Sequence, residues 1–295
     1  MDGPHEPADG TGAGTRTTGV TVEADGLGLK GPRGRVFRNI GFHAEAGSLI
    51  VIEGPSGSGR TCLLLALTGR MRPTEGRAKV GPHRLPRHMA AVRRVSALAH
   101  VPGVTDLDPA LTVDEHLRER VLLQRRFGGS VRGALHGLLR LRGGRAAAAD
   151  PRVDEALAAA GLDRGALPKG GRTAVRDLGR LEALRLSVAL ALIGRPLLLG
   201  VDDTDLKLAG AERAAAWSLL ASVAAAGTTV LAVCSEAPED VGGTGSPLHV
   251  LTLPDGDDDP ALPDDDDPAL PDDDDPALPD DDKETADALA EAGRT

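Results

Sequence analysis

The sequence predicts an α/β fold in which a largely parallel sheet is covered by helices on both faces. Three observations predict it. A glycine-rich stretch, Gly54-Pro55-Ser56-Gly57-Ser58-Gly59-Arg60-Thr61, lies between the apolar run Leu49-Ile50-Val51-Ile52 and a second apolar run that opens at Cys62. Downstream, short strand-like segments alternate with helical ones, and the strands are apolar throughout, as strands buried on both faces must be. Upstream, two segments alternate apolar with polar residues and have glycines close by, which reads as a small β layer preceding the core.

Taken in order, residues 1–18 are rich in Gly, Pro, Thr and Asp without periodicity and are expected to be disordered. Residues 19–24 and 35–42 are the two alternating strands. The run at 49–52 is a buried strand closed by Glu53, and a helix follows the glycine loop. Residues 72–76, Arg-Pro-Thr-Glu-Gly, read as a turn, 77–81 as a short strand and 92–100 as another. A mostly helical section runs from Thr112 to about Arg195. It opens on Thr112-Val113-Asp114-Glu115, a cap followed by an acidic first turn, and is interrupted by loops at 125–129 and 141–145. Arginines around these loops suit either a solvated surface or a membrane face. Residues 184–193 form a buried helix, and 196–203 an apolar strand ending in Asp202 and Asp203. Residues 209–226 form an alanine-rich helix carrying Trp217, and 228–233 a further strand. The organisation expected is therefore a terminus over 1–18, one domain over 19–253 with a helical insert at about 104–195, and a tail over 254–295.

The chain of 295 residues is 41% hydrophobic, enough for a substantial core. No apolar run approaches the roughly 20 residues that cross a bilayer, and the first fifteen residues lack a signal-peptide pattern, so a cytoplasmic protein is expected. Cys62 and Cys234 sit in apolar contexts and read as reduced packing thiols. The net charge of −10 conceals an uneven distribution. From Pro254 onward there are 18 acidic and 2 basic residues, a net −16, which leaves the rest at +6. The tail repeats Pro-Asp-Asp-Asp-Asp-Pro-Ala-Leu at 263–270 and 271–278. Clustered Asp repels itself and regular Pro blocks helix and ladder, so an extended, disordered tail is expected. Calcium binding is the competing reading, although the repeat lacks the glycines that shape calcium loops.

The glycine loop is a phosphate-binding loop in its proper context, strand before and helix after. Its glycines let the backbone wrap closely and point N–H groups inward, and the following helix adds its positive dipole end. Position 60 departs from the usual pattern. Arg60 stands where lysine normally precedes Ser/Thr, which keeps the charge but replaces a compact donor by a planar fork needing more room.

With a loop, helical insert and acid-ended strand in this order, the chain resembles the nucleotide-binding subunit of ATP-binding cassette (ABC) transporters over residues 20–236. The resemblance implies a P-loop NTPase core of ABC ATPase type, with a small N-terminal antiparallel β layer and an inserted helical subdomain. It implies ATP and Mg²⁺ as cofactors. Gly54, Pro55, Ser56, Gly57, Ser58, Gly59, Arg60, Thr61 and Cys62 would hold the phosphates, Thr61 and Asp202 the magnesium. Asp203, in place of the family's glutamate and one methylene shorter, would polarise the attacking water.

Other positions depart from the family pattern. The signature Leu-Ser-Gly-Gly-Gln falls on Leu178-Gly179-Arg180-Leu181-Glu182, without its serine or its two glycines. The magnesium-sensing glutamine falls near His100, which suits either a metal or water contact or a structural role. The histidine after the last core strand is Ser235. The adenine-stacking aromatic expected near Lys30-Gly31-Pro32 is absent, and Phe37 lies too far along to replace it. The resemblance further implies a separately encoded membrane partner docked through residues 100–117, a homo- or heterodimer of ATP-binding domains, no nucleic-acid partner, and a peripheral location on the inner face of the cell membrane. Because the departures surround one phosphate, the function expected is ATP binding with reduced hydrolysis, and the alternative is a non-hydrolysing regulatory module.

Overall fold

The computed structural model describes residues 19–32, 34–127, 150–204, 208–238 and 246–254, all within one compact unit, Met1–Asp258. The expectations for residues 1–18, for a loop at 141–145 and for the tail from 255 fall outside the described residues.

Two sheets make up the framework. Strands β1 (Val22–Gly31), β2 (Gly34–Ala44), β4 (Glu75–Val80) and β5 (His83–Leu85) form an antiparallel sheet in the order β2-β1-β4-β5. Strands β3 (Leu49–Glu53), β6 (Ser96–Leu98), β7 (Leu198–Val201), β8 (Thr229–Val233) and β9 (Leu248–Thr252) form a parallel sheet ordered β6-β7-β8-β3-β9. The helices are α1 (Arg60–Leu67), α2 (Met89–Val95), α3 (Val113–Phe127), α4 (Pro151–Ala159), α5 (Arg180–Leu192) and α6 (Gly210–Ala225).

Side-chain alternation splits the core between the two faces of the parallel sheet. Leu49, Val51, Leu199, Val201, Val230 and Ala232 join one buried cluster with α5, α6 and Trp217. Ile50, Ile52, Leu198, Leu231 and Val233 join the other, with α1 and the antiparallel sheet. This is the two-sided covering that uninterrupted apolar strands require. Leu220, fully buried on α6, contributes through packing alone, so Leu220→Ala should lower unfolding stability by about 2–5 kcal/mol. A shift of the urea midpoint within experimental error would contradict that assignment.

Three readings are corrected. Residues 92–95 belong to α2 rather than to a strand, and only Ser96–Leu98 pairs with β7. Val92 is buried while Arg93 and Arg94 are exposed, and the Val92 amide donates to the His88 carbonyl one turn back. Residues 125–127, expected in a loop, belong to α3, in which Val113, Leu117 and Val121 are buried at four-residue spacing; residues 128 and 129 of that expectation fall outside the described residues. Glu75 and Gly76, expected in a turn, already lie in β4, where Glu75 pairs with Gly28 of β1. The cap at Thr112 is present in full: its hydroxyl accepts from the Glu115 amide at 3.3 Å while its own amide donates to the Glu115 carboxylate at 2.8 Å.

Candidate functional site

The C-terminal ends of β3, β7 and β8 meet at the glycine loop. Gly59 caps α1 in a left-handed conformation, φ +86°, and a Cβ there would sit 2.5 Å from the Val36 carbonyl oxygen of β2. Gly54, φ +147°, comes equally close to the Leu253 carbonyl, which follows β9. Only glycine fits either position. The antiparallel sheet and the edge strand therefore press on the loop from two sides.

Asp202 follows β7 directly and is 2% exposed. Its Oδ2 accepts the Thr61 hydroxyl at 2.6 Å and its Oδ1 accepts the Asp203 amide at 2.9 Å, while its own amide donates to the His100 carbonyl. Burial pushes the Asp202 carboxyl above its ordinary value. The hydrogen bonds from Thr61 and the Asp203 amide act against this, the neighbouring Asp203 charge reinforces it, and Arg60 draws it back down. Asp203 has a positive φ of 50°, unusual for a residue with a side chain. Buried Thr204 holds this turn to β8, its amide and hydroxyl both donating to the Val233 carbonyl at 3.0 and 2.8 Å.

Arg60 does not lie free over the loop. Its guanidinium donates to the Cys234 carbonyl at the end of β8. Next to it, the Cys62 thiol is pushed up by partial burial and then by Asp202, which suits a packing thiol rather than a nucleophile. Ser58 is 3% exposed, and its buried hydroxyl has no hydrogen-bond partner among the described residues. An orphaned, buried hydroxyl within the glycine loop fits a polar ligand.

The ABC transporter family profile matches residues 37–205, more than half of the chain. The chain belongs to the ABC transporter family. It is 29% identical over 214 residues to the daunorubicin resistance ATP-binding protein DrrA3 of Streptomyces coeruleorubidus, covering 72% of this chain and 59% of that protein. It is 32% identical over 182 residues to the zinc import ATP-binding protein ZnuC of Roseobacter denitrificans, covering 62% and 56%. The match thus spans little more than half the length of these relatives. Among solved structures it is similar to the dimeric ATP-binding cassette MJ0796 bound to ADP and Pi, with a TM-score of 0.58 at 20% identity, covering 79% of this chain and 96% of that one. It is also similar to cbiO1 of Clostridium perfringens, TM-score 0.57 at 15% identity, covering 73% and 78%. These structures establish the fold: a P-loop α/β core beside an antiparallel sheet.

Within the cassette, the loop, Thr61, Asp202, Asp203 and the His100 backbone come together, and Ser235 joins them through its carbonyl, which accepts from the Gly54 amide at 3.4 Å. The 178–182 segment lies elsewhere, at the start of α5. Gly179 caps that helix and the Glu182 carboxylate accepts the Gly179 amide at 2.7 Å, so Glu182 serves its own helix, with Arg180 exposed beside it. Phe37 is buried in the core on β2. Sequence reasoning missed two residues that build the site. Glu53 accepts from the Thr252 hydroxyl at 2.7 Å and the Ala237 amide at 2.8 Å, tying β3 to β9 and to the segment after β8. Thr204 was the other. An acid closing an apolar strand, and a threonine after two aspartates, are the only traces either leaves in the sequence.

Proposed function

We propose that this chain is the ATP-binding subunit of a transporter, coupling ATP binding and slow hydrolysis to a separately encoded membrane partner. The observation that carries this reading is the 2.6 Å hydrogen bond from Thr61 to Asp202, which sets a hydroxyl and a carboxylate side by side at the end of a phosphate loop. Backbone N–H groups from Gly54 to Cys62 would receive the phosphates, and the unpartnered Ser58 hydroxyl accords with a ligand there. Thr61 and Asp202 would hold Mg²⁺, which when bound offsets phosphate charge. Asp203 would orient and polarise the attacking water. The domain over 19–253 would pair with a second ATP-binding domain as a homo- or heterodimer. It would dock through residues 100–117 and lie peripherally on the inner face of the cell membrane, without nucleic acid.

Two features support slow turnover. The Arg60 guanidinium is engaged by the Cys234 carbonyl, and the 178–182 segment places side chains where the family has small residues. The same Arg60 contact favours the second reading, a regulatory module that holds ATP without hydrolysing it. Single-turnover phosphate release with Mg-ATP separates them. On the first reading the full chain releases phosphate slowly and Arg60→Lys speeds it about tenfold, roughly 1.4 kcal/mol of barrier. Binding without release in both proteins, with the membrane partner present, would leave only the regulatory module. Absence of Mg-ATP binding would sink both.

A further inference from the structure

The ladder between β3 and β8 slips by one residue where it reaches the glycine loop. Up to that point the pairing is regular: Leu49 lies opposite Val230 and Ile52 opposite Val233, and the Val230 amide donates to the Ser48 carbonyl. The Cys234 amide continues the pattern by donating to the Ile52 carbonyl at 3.1 Å. In an evenly spaced parallel ladder the next bond runs from the Gly54 amide to the Cys234 carbonyl. Instead, the Gly54 amide reaches one residue further, to the Ser235 carbonyl at 3.4 Å, and the Cys234 carbonyl receives the Arg60 guanidinium.

The cause of the slip lies directly downstream. Ser235 and Glu236 are exposed, so packing does little to fix the backbone there. The Ala237 amide donates to the Glu53 carboxylate at 2.8 Å. Glu53 is the residue that the regular register would set opposite Cys234. It is itself anchored to the edge strand: its other carboxylate oxygen accepts the Thr252 hydroxyl at 2.7 Å, and its carbonyl accepts the Leu253 amide at 2.8 Å. On the near side of the slip, the amide and hydroxyl of Thr204 hold the Val233 carbonyl. The peptide unit joining Cys234 to Ser235 is therefore turned between two anchored neighbours. A hydrogen bond to a carboxylate is stronger than one between neutral groups, so the hold on Ala237 offsets the single amide–carbonyl bond that a regular register would restore.

We propose that Glu53 is a positioning residue that restrains Arg60: by drawing Ala237 toward β3 it turns the Cys234 carbonyl onto the guanidinium and withholds that charge from an incoming phosphate. Without this hold, Gly54 recovers Cys234 as its acceptor, the ladder closes regularly, and Arg60 is released to the loop. This role rests on the reading of the loop as a phosphate site. It differs from direct repulsion of phosphate by the Glu53 charge, which would act whether or not residue 60 is an arginine.

Two measurements on the full chain test the role. In the first, without nucleotide, heteronuclear NMR follows the Arg60 guanidinium N–H signal, identified by its loss in Arg60→Lys. The signal should be protected from solvent exchange in the wild-type chain. It should stay protected in Glu53→Gln, whose amide oxygen accepts from Ala237 while its NH₂ group donates to Thr252, and lose protection in Glu53→Ala. In the second, Mg-ATP affinity should rise about fivefold in Glu53→Ala, yet change by less than about twofold when the same substitution is made on Arg60→Lys, because the two residues act through one contact. Ala237→Pro removes the donor while leaving Glu53 in place and should reproduce both effects, which keeps the test decisive if Glu53→Ala misfolds. A protected Arg60 signal in Glu53→Ala and Ala237→Pro would overturn the proposal. An equal affinity gain on the Arg60→Lys background would overturn it too, assigning Glu53 to charge repulsion. If no variant binds Mg-ATP, the nucleotide reading fails, and the guanidinium signal alone still decides the role of Glu53.

Discussion

Asp202→Asn is expected to move stability and nucleotide binding in opposite directions. The folded protein holds this carboxyl above its ordinary value because it is buried. Between the unfolded-state value and the raised folded-state value, the native state binds more protons than the unfolded chain. Stability from this group therefore falls as pH rises through that interval, and the full penalty persists above it. Asparagine removes the penalty while still accepting one hydrogen bond, so the nucleotide-free variant should melt higher at neutral pH. The difference from the parent should shrink as pH is lowered toward the ordinary carboxylate range. Mg-dependent ATP affinity should fall about 100-fold, roughly 3 kcal/mol. Thermal melts across pH, with and without Mg-ATP, read both signs in one experiment. A variant that melts lower and binds Mg-ATP normally would show Asp202 to be an ordinary structural residue.

Gly59→Ala should cost both stability and binding. The left-handed backbone at φ +86° disfavours any side chain, and the added methyl would lie 2.5 Å from the Val36 carbonyl, a backbone atom that cannot swing aside. Strain of this kind costs roughly 1–3 kcal/mol, before any displacement of β2. The variant should unfold at lower urea and lose ATP binding. Gly57 is the internal control: it has a similar positive φ of 92°, but nothing lies within 4 Å of its added Cβ. Gly57→Ala should therefore retain more stability than Gly59→Ala, and an equal loss in the two would remove the role given to Val36.

The parallel core was legible because strands buried on both faces must be apolar along their length, a pattern that Leu49-Ile50-Val51-Ile52 and Val230-Leu231-Ala232-Val233 satisfy. The loop was legible because glycine is needed where backbone approaches backbone. What stayed hidden depends on partners distant in sequence. β9 shows exposed and half-buried residues in alternation, Leu248 and Val250 exposed, and only its pairing with β3 makes it a strand. The Arg60 contact with Cys234 was invisible for the same reason: the sequence gives the guanidinium's length and charge but not the carbonyl it meets.

The contact of Gly54 with the Leu253 carbonyl, and of Glu53 with Thr252, also sets when the site can exist during synthesis. The loop is translated early, but the strand that flanks it and the hydroxyl that holds Glu53 leave the ribosome about two hundred residues later. Pairings so distant form late because a long chain segment must be closed first. A nascent cassette therefore carries an unfinished phosphate loop through most of its synthesis. Completion of the fold and completion of the ligand site coincide, so nucleotide would stabilise finished chains in preference to partial ones.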